Sequence, residues 1–155
     1  SLFSELSDSY FKTLLSRSVK QGILERACRG LYVHKKSIKK DGLILFHIAA
    51  LKRADEFNYI SLETTLSESG VISQIPINYI AIMSSGRSNT ISCSEFGTIE
   101  FIHTNQKPAE LTKNLVYDHA CGLWRANVEL ALRDMKATRR NCDLIDWDIV
   151  NELIR

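Results

Sequence analysis

Residues 7–34 read SDSYFKTLLSRSVKQGILERACRGLYVH, and the fold turns on how this stretch divides. Ser7 and Asp8 offer a helix N-cap, and Gly22 offers a C-terminal stop. Between them, helical spacing puts Phe11, Leu14, Leu15 and Ser18 on one face. Ser9, Lys12, Thr13, Ser16 and Lys20 share the opposite face, with Arg17 at its edge, and the helix carries no acid after Asp8. The next residues alternate from Ile23 to Cys28, turn at Arg29-Gly30 and resume as Leu31, Tyr32 and Val33. Two short runs around a glycine-containing turn predict a β-hairpin.

A basic, hydroxyl-rich helix running straight into a hairpin with an Arg-Gly tip predicts the recognition helix and wing of a winged helix-turn-helix. The physics suits duplex DNA, because a helix fits the major groove, where Ser, Thr, Lys and Arg meet base edges and phosphates. The wing can lay Arg26 or Arg29 along the neighbouring backbone. Leu2–Leu6 is expected to supply the helix before the turn. Nothing remains for a first helix, so the chain reads as part of a longer protein.

Charge separates this head from the rest of the chain. Residues 1–40 hold nine Lys/Arg against three acids, whereas residues 41–155 hold eleven against fifteen, within a net charge of +2. A cationic head on a mildly acidic body implies two jobs, one of them attraction to a polyanion. The connector HKKSIKKDG (34–42) ends in a turn signal, Asp41-Gly42. The expected organisation is therefore a DNA-binding module over residues 1–37 and a second domain over 42–155.

The composition of the 155 residues, 45% hydrophobic and 25% charged, is that of a soluble globular chain. Two prolines and seven glycines are too few for a low-complexity, disordered chain. The longest apolar stretch, Leu43–Leu51, is broken by His47 and falls far short of the ~20 residues a bilayer requires. With no secretory signal visible, and four scattered cysteines (Cys28, Cys93, Cys121, Cys142) without a Cys-x-x-Cys pair, the reading is a cytoplasmic protein with reduced thiols. No cofactor or metal is expected, since a zinc site from His103, His119 and Cys121 fits no usual ligand spacing.

The body predicts an α+β fold, with a small mixed sheet flanked by helices. Leu43–Ala54 reads as a helix buried on most sides, with His47 a satisfied core or boundary histidine. Asn58–Ile60 follows as a short strand, and Ser61 is expected to cap a helix from Leu62 to a stop at Gly70. Strands are expected at Tyr79–Met83, Thr90–Ser94 and Thr98–Thr104, with a Ser-Gly-Arg-Ser loop between the first two. The C-terminal third returns to helix. Val128, Ala131, Leu132 and Met135 make an apolar stripe on Ala126–Thr138, Glu129 and Arg133 are placed as an i,i+4 pair, and Arg139-Arg140 oppose the dipole. Asp146 is expected to cap a last helix through Val150 and Leu153.

This order of elements resembles the AbiEi-like antitoxins of type IV toxin–antitoxin systems. The likeness lies in LLSRSVKQGILERACRGLY (14–32), in YISLETTLSESGVISQIP, YIAIMSSGRS and GTIEFIHT (within 59–104), and in LWRANVELALRDM (123–135), similar to a late helix with an alanine–leucine–aspartate core. Ser18, in the middle of the helix's buried face, departs from the family pattern.

The resemblance implies a bifunctional protein. Its winged helix would repress its own operon at promoter DNA, and its C-terminal domain would counteract a nucleotidyltransferase-like toxin, in phage-defence loci or mobile elements. It implies DNA contacts at Ser9, Lys12, Thr13, Ser16, Arg17 and Lys20, with Arg26 and Arg29 on the wing. Antitoxicity is assigned to the exposed polar groups Arg87, Arg125 and Arg133, although structural salt bridges explain those arginines equally well. Two other classes stay open. A metal-dependent nucleic-acid-processing enzyme would draw on Glu95, Glu100, Asp118 and His119, though no phosphate-loop or nucleophile motif accompanies them. A pure protein-interaction module would show no DNA affinity.

Overall fold

The computed structural model describes residues 7–39 and 41–155, so the helix expected at Leu2–Leu6 lies outside the described residues. The described chain is α+β. Helix α1 (Asp8–Lys20) leads into strands β1 (Leu24–Cys28) and β2 (Leu31–His34), which pair as a separate antiparallel hairpin. Then come α2 (Ile44–Lys52), β3 (Asn58–Ile60), α3 (Leu62–Glu68), β4 (Tyr79–Ser84), β5 (Asn89–Ser92) and β6 (Thr98–His103). The remainder is α4 (Pro108–Leu111), β7 (Leu115–Asp118), β8 (Leu123–Ala126), α5 (Val128–Ala137) and α6 (Trp147–Leu153).

The larger sheet has the order β5-β6-β4-β3-β8-β7 and is mixed, with β4/β6 and β3/β8 parallel and the other pairs antiparallel. Strand alternation divides its side chains between two cores. Tyr59, Ala81, Met83 and Ala126 join Leu62, Leu66, Leu130, Ala131 and Met135 beneath α3 and α5. Ile60, Ile80, Ile82, Ile99, Phe101 and Leu123 join Leu45, Phe46, Ile48 and Ala49 of α2 on the other face. A sheet buried on both faces explains the imperfect apolar–polar alternation in the sequence. Each of the large aliphatic and aromatic side chains fully buried here contributes about 1.5–3 kcal/mol.

The hairpin belongs to this second core. Its register slips between Arg26 and Cys28, and the bulge turns Ala27 and Cys28 inward in succession, where both are buried with Leu45, Phe46 and Cys93. Lys52 Nζ of α2 donates to the Arg29 carbonyl at 2.6 Å. Packing thus crosses the polar connector, which carries a single turn of 3-10 helix at Lys35–Ser37.

Two stretches differ from the sequence expectation. Leu123–Ala126, expected within a late helical segment, is strand β8, which pairs with β7 and runs parallel to β3 through Tyr59↔Trp124. Ser61 occupies the N-cap of α3 without capping it, because its hydroxyl donates to Asp134 instead. The last helix is capped as expected, with Asp146 Oδ1 accepting from the Asp148 and Ile149 amides at 3.0 and 3.3 Å. No helix among the described residues is long and apolar enough to cross a membrane.

Candidate nucleic-acid interface

Helix α1 starts where Ser7 Oγ accepts from the Tyr10 amide and stops in a Schellman turn. There Gly22, at φ +74°, donates to Val19 O and Ile23 donates to Ser18 O, both at 3.0 Å. Phe11, Leu14, Leu15 and Ser18 are half-buried, as the periodicity predicts. Ser9, Lys12, Thr13, Ser16, Arg17 and Lys20 are all exposed. Thr13 Oγ1 donates to the Ser9 carbonyl at 3.0 Å, which leaves the hydroxyl's acceptor lone pairs outward.

Between α1 and the hairpin lies a groove of about 330 Å³ lined by Lys12, Leu15, Ser16, Val19, Lys20, Arg26 and Tyr32. It brings four of the eight expected contacts together, three of them cations, over an apolar floor. Ser9, Thr13 and Arg17 occupy the adjoining flank of the helix. Arg29 sits apart from the groove at the hairpin turn, exposed, with its carbonyl held by Lys52. None of Lys12, Arg17, Lys20, Arg26 and Arg29 forms an ion pair among the described residues. Tyr32 and Lys52 carry weight here that the residue pattern alone did not give them. The Arg26↔Tyr32 register would have pointed to the first, and no local signal marks the second.

The three body arginines are held very differently. Arg125 on β8 pairs with Glu68 and, at 2.9 Å, with Asp118, and its guanidinium lies 5.8 Å from the Phe46 ring centroid. Arg133 donates to Asn114 Oδ1 at 3.0 Å rather than pairing with Glu129. The Arg87 side chain makes no hydrogen bond or ion pair among the described residues, while its carbonyl accepts from Arg53 Nη2 at 2.7 Å. Arg140 does not simply face the helix dipole. It binds Glu63 at 2.6 Å and Glu100 through two bonds of 2.9 Å, and these carboxylates raise its pKa further.

The Ser84–Ser88 loop is tied chiefly to the Arg53–Asn58 segment. Ser84 Oγ donates to Asn58 Oδ1 at 2.7 Å and accepts from Gly86 N and Arg53, while Ser85 Oγ donates to Glu56 at 2.7 Å. Arg53 lies over the Phe101 ring at 4.1 Å. The His103 ring nitrogens face Gly86 O at 2.8 Å and Asn105 Oδ1 at 2.9 Å. Two acceptors favour the imidazolium, so the His103 pKa is raised.

The acids weighed for an enzyme are not assembled. Glu100 on β6 and Asp118 on β7 are separated by four strand spacings, about 19 Å. Each is committed to its own arginine. Glu95 is exposed beside Gly97, and His119 stacks edge-on against Tyr117 at 4.9 Å. No group of three or more His, Cys, Asp or Glu among the described residues is placed to hold a metal ion. His47 is satisfied by the Ala120 carbonyl at 2.8 Å.

No family model, curated protein or solved structure matches this chain.

Proposed function

We propose that the chain grips double-stranded DNA through the outer face of α1 and the adjoining β1–β2 hairpin, as a recognition helix and wing. The observation that carries this reading is the groove between them. Lys12, Lys20 and Arg26 converge there with no carboxylate partner among the described residues, and Arg17 extends the same positive surface. Unpaired cations with an exposed helix between them attract phosphates and release counterions, and the helix itself has the width of the major groove.

Following the likeness to AbiEi-like antitoxins, we infer that the DNA is the promoter of the chain's own operon. By the same likeness, the sheet-bearing body counteracts a nucleotidyltransferase-like toxin. The opposite charge of head and body supports two separate jobs. Of the three arginines assigned to antitoxicity, Arg87 has the side chain freest to meet a partner, whereas Arg125 is consumed by Glu68 and Asp118.

Fluorescence anisotropy with a labelled promoter duplex over a salt series tests the first job. Affinity should fall with salt at a log–log slope of about 0.9 per neutralised phosphate, and Lys20→Ala or Arg26→Ala should each lower that slope by about one. An unchanged slope in both variants would remove the assigned face. Co-expression with the nucleotidyltransferase-like product encoded next to it tests the second job. Restored growth that survives Lys20→Ala would separate the two.

A further inference from the structure

We propose that Cys28 and Cys93 form a thiol pair that a hydroperoxide closes to a disulfide, fastening the cationic hairpin to the sheet. Cys28 ends β1, and Cys93 follows β5, where its amide donates to Gly97 O at 2.7 Å. Both are free and buried in one cluster, where β1 packs against the turn Ser94–Phe96 that directly follows Cys93, and the Cys28 thiol acts on that of Cys93. The bulge in the hairpin makes this meeting possible, since regular alternation would not turn both Ala27 and Cys28 inward. Neither remaining cysteine is so placed. Cys121 lies 3.7 Å from Arg125 Nη2, and Cys142 Sγ faces the Arg140 carbonyl at 3.5 Å.

The two sulfurs differ in access, which sets the order of events. Cys28 keeps 7% of its surface exposed and Cys93 none, so a small peroxide meets Cys28 first. The Cys28 thiolate attacks the O–O bond of hydrogen peroxide, giving a sulfenic acid and, after proton uptake, one water. Cys93, having released its proton, then attacks that sulfur as a thiolate, the S–O bond breaks, and the departing hydroxide recovers the released proton to become a second water. Two thiols and one peroxide thus yield one disulfide and two waters, with two electrons passing from sulfur to oxygen. Burial pushes the Cys93 thiol up to about 11, which suits a resolving partner better than an attacking one. Lys52, which holds the Arg29 carbonyl, acts on Cys93 in the opposite direction and aids its ionisation.

This inference does not rest on the nucleic-acid reading. The test is to oxidise the reduced chain with hydrogen peroxide, alkylate the remaining thiols, digest and map by mass spectrometry. The expected product is a Cys28–Cys93 cross-linked peptide lacking two hydrogens and reopened by dithiothreitol, with Cys121 and Cys142 alkylated. The oxidised chain should melt about 5–10 °C higher, as a bond closing a long loop does in a chain of this size. In Cys93→Ser, dimedone should trap Cys28 as the sulfenic acid without a cross-link. Four alkylated thiols after oxidation, a sulfinic acid on Cys28 without a link, or Cys28 joined to another cysteine would each overturn the proposal. The peptide map of the native chain decides alone should the variant not fold.

Discussion

Ser61 Oγ donates to Asp134 Oδ2 at 2.6 Å, and neither residue has any exposed surface. The Tyr59 hydroxyl donates to the same oxygen at 3.0 Å and the Gln106 amide to the other at 3.3 Å, which joins β3, α5 and the segment after β6 at one carboxyl. Burial raises the Asp134 pKa despite these donors. A carboxyl whose folded pKa exceeds its unfolded value favours the fold when protonated. That contribution is complete below about pH 4 and is lost as pH rises through the folded value. Asp134→Asn removes the titration, so its melting temperature should gain on the native chain's from about pH 4 towards neutrality. Parallel melting curves would contradict this. Asp134→Ala, which strands two buried hydroxyls and the half-buried Gln106 amide, should cost about 3 kcal/mol.

Arg140 holds two carboxylates apart as well as binding them. Its removal in Arg140→Ala leaves Glu63 and Glu100 facing each other without a cation, and Glu63 Oε2 already lacks a hydrogen-bond partner among the described residues. A loss of about 3 kcal/mol is expected from urea unfolding. Arg140→Lys should recover less than half of it, because an ammonium cannot reproduce the paired bonds to Glu100.

Arg139 adopts φ +55° just past α5, where its amide donates to Lys136 O and that of Arg140 donates to Met135 O. This is a Schellman turn with an arginine in the place glycine usually fills. Arg139→Gly should therefore stabilise the chain by about 0.5–1 kcal/mol in the same urea assay.

Gly97 is required for a different reason. A Cβ there would lie 2.0 Å from the Asn78 carbonyl oxygen, at φ +126°. Gly97→Ala should cost more than about 3 kcal/mol, visible as a lowered urea midpoint.

His103 should titrate above the ordinary imidazole value of 6.5, chiefly through its bond to the Gly86 carbonyl and then that to Asn105. The support it lends the Ser84–Ser88 loop is full below that ordinary value and fades as pH rises through the folded one. NMR titration should find a lower midpoint in Asn105→Ala. Amide exchange in the loop, corrected for intrinsic pH dependence, should quicken over the same range.

The α1 boundaries were legible because capping is local. Ser7, Gly22 and Asp146 act within a few residues of their own positions. The Arg29-Gly30 hairpin was legible for the same reason. What escaped local reading depends on partners distant in the chain. Strands β7 and β8 have four residues each, and β8 is fixed by its parallel neighbour β3. The Ser61 hydroxyl looks like a cap until α5 brings Asp134 against it. Of the expected interface, the exposed helical face followed from periodicity. The inward turn of Ala27 and Cys28 did not, since a bulge breaks the alternation by which a strand is read.

That bulge makes the hairpin a part of the body's own core. Ala27 and Cys28 plug the wall formed by Leu45, Phe46 and Cys93, so cutting the chain in its lysine-rich connector would uncork an apolar chamber. The body would be left with a hole where the hairpin had been, and the tilt of α1 over the sheet is set by whatever keeps that plug seated.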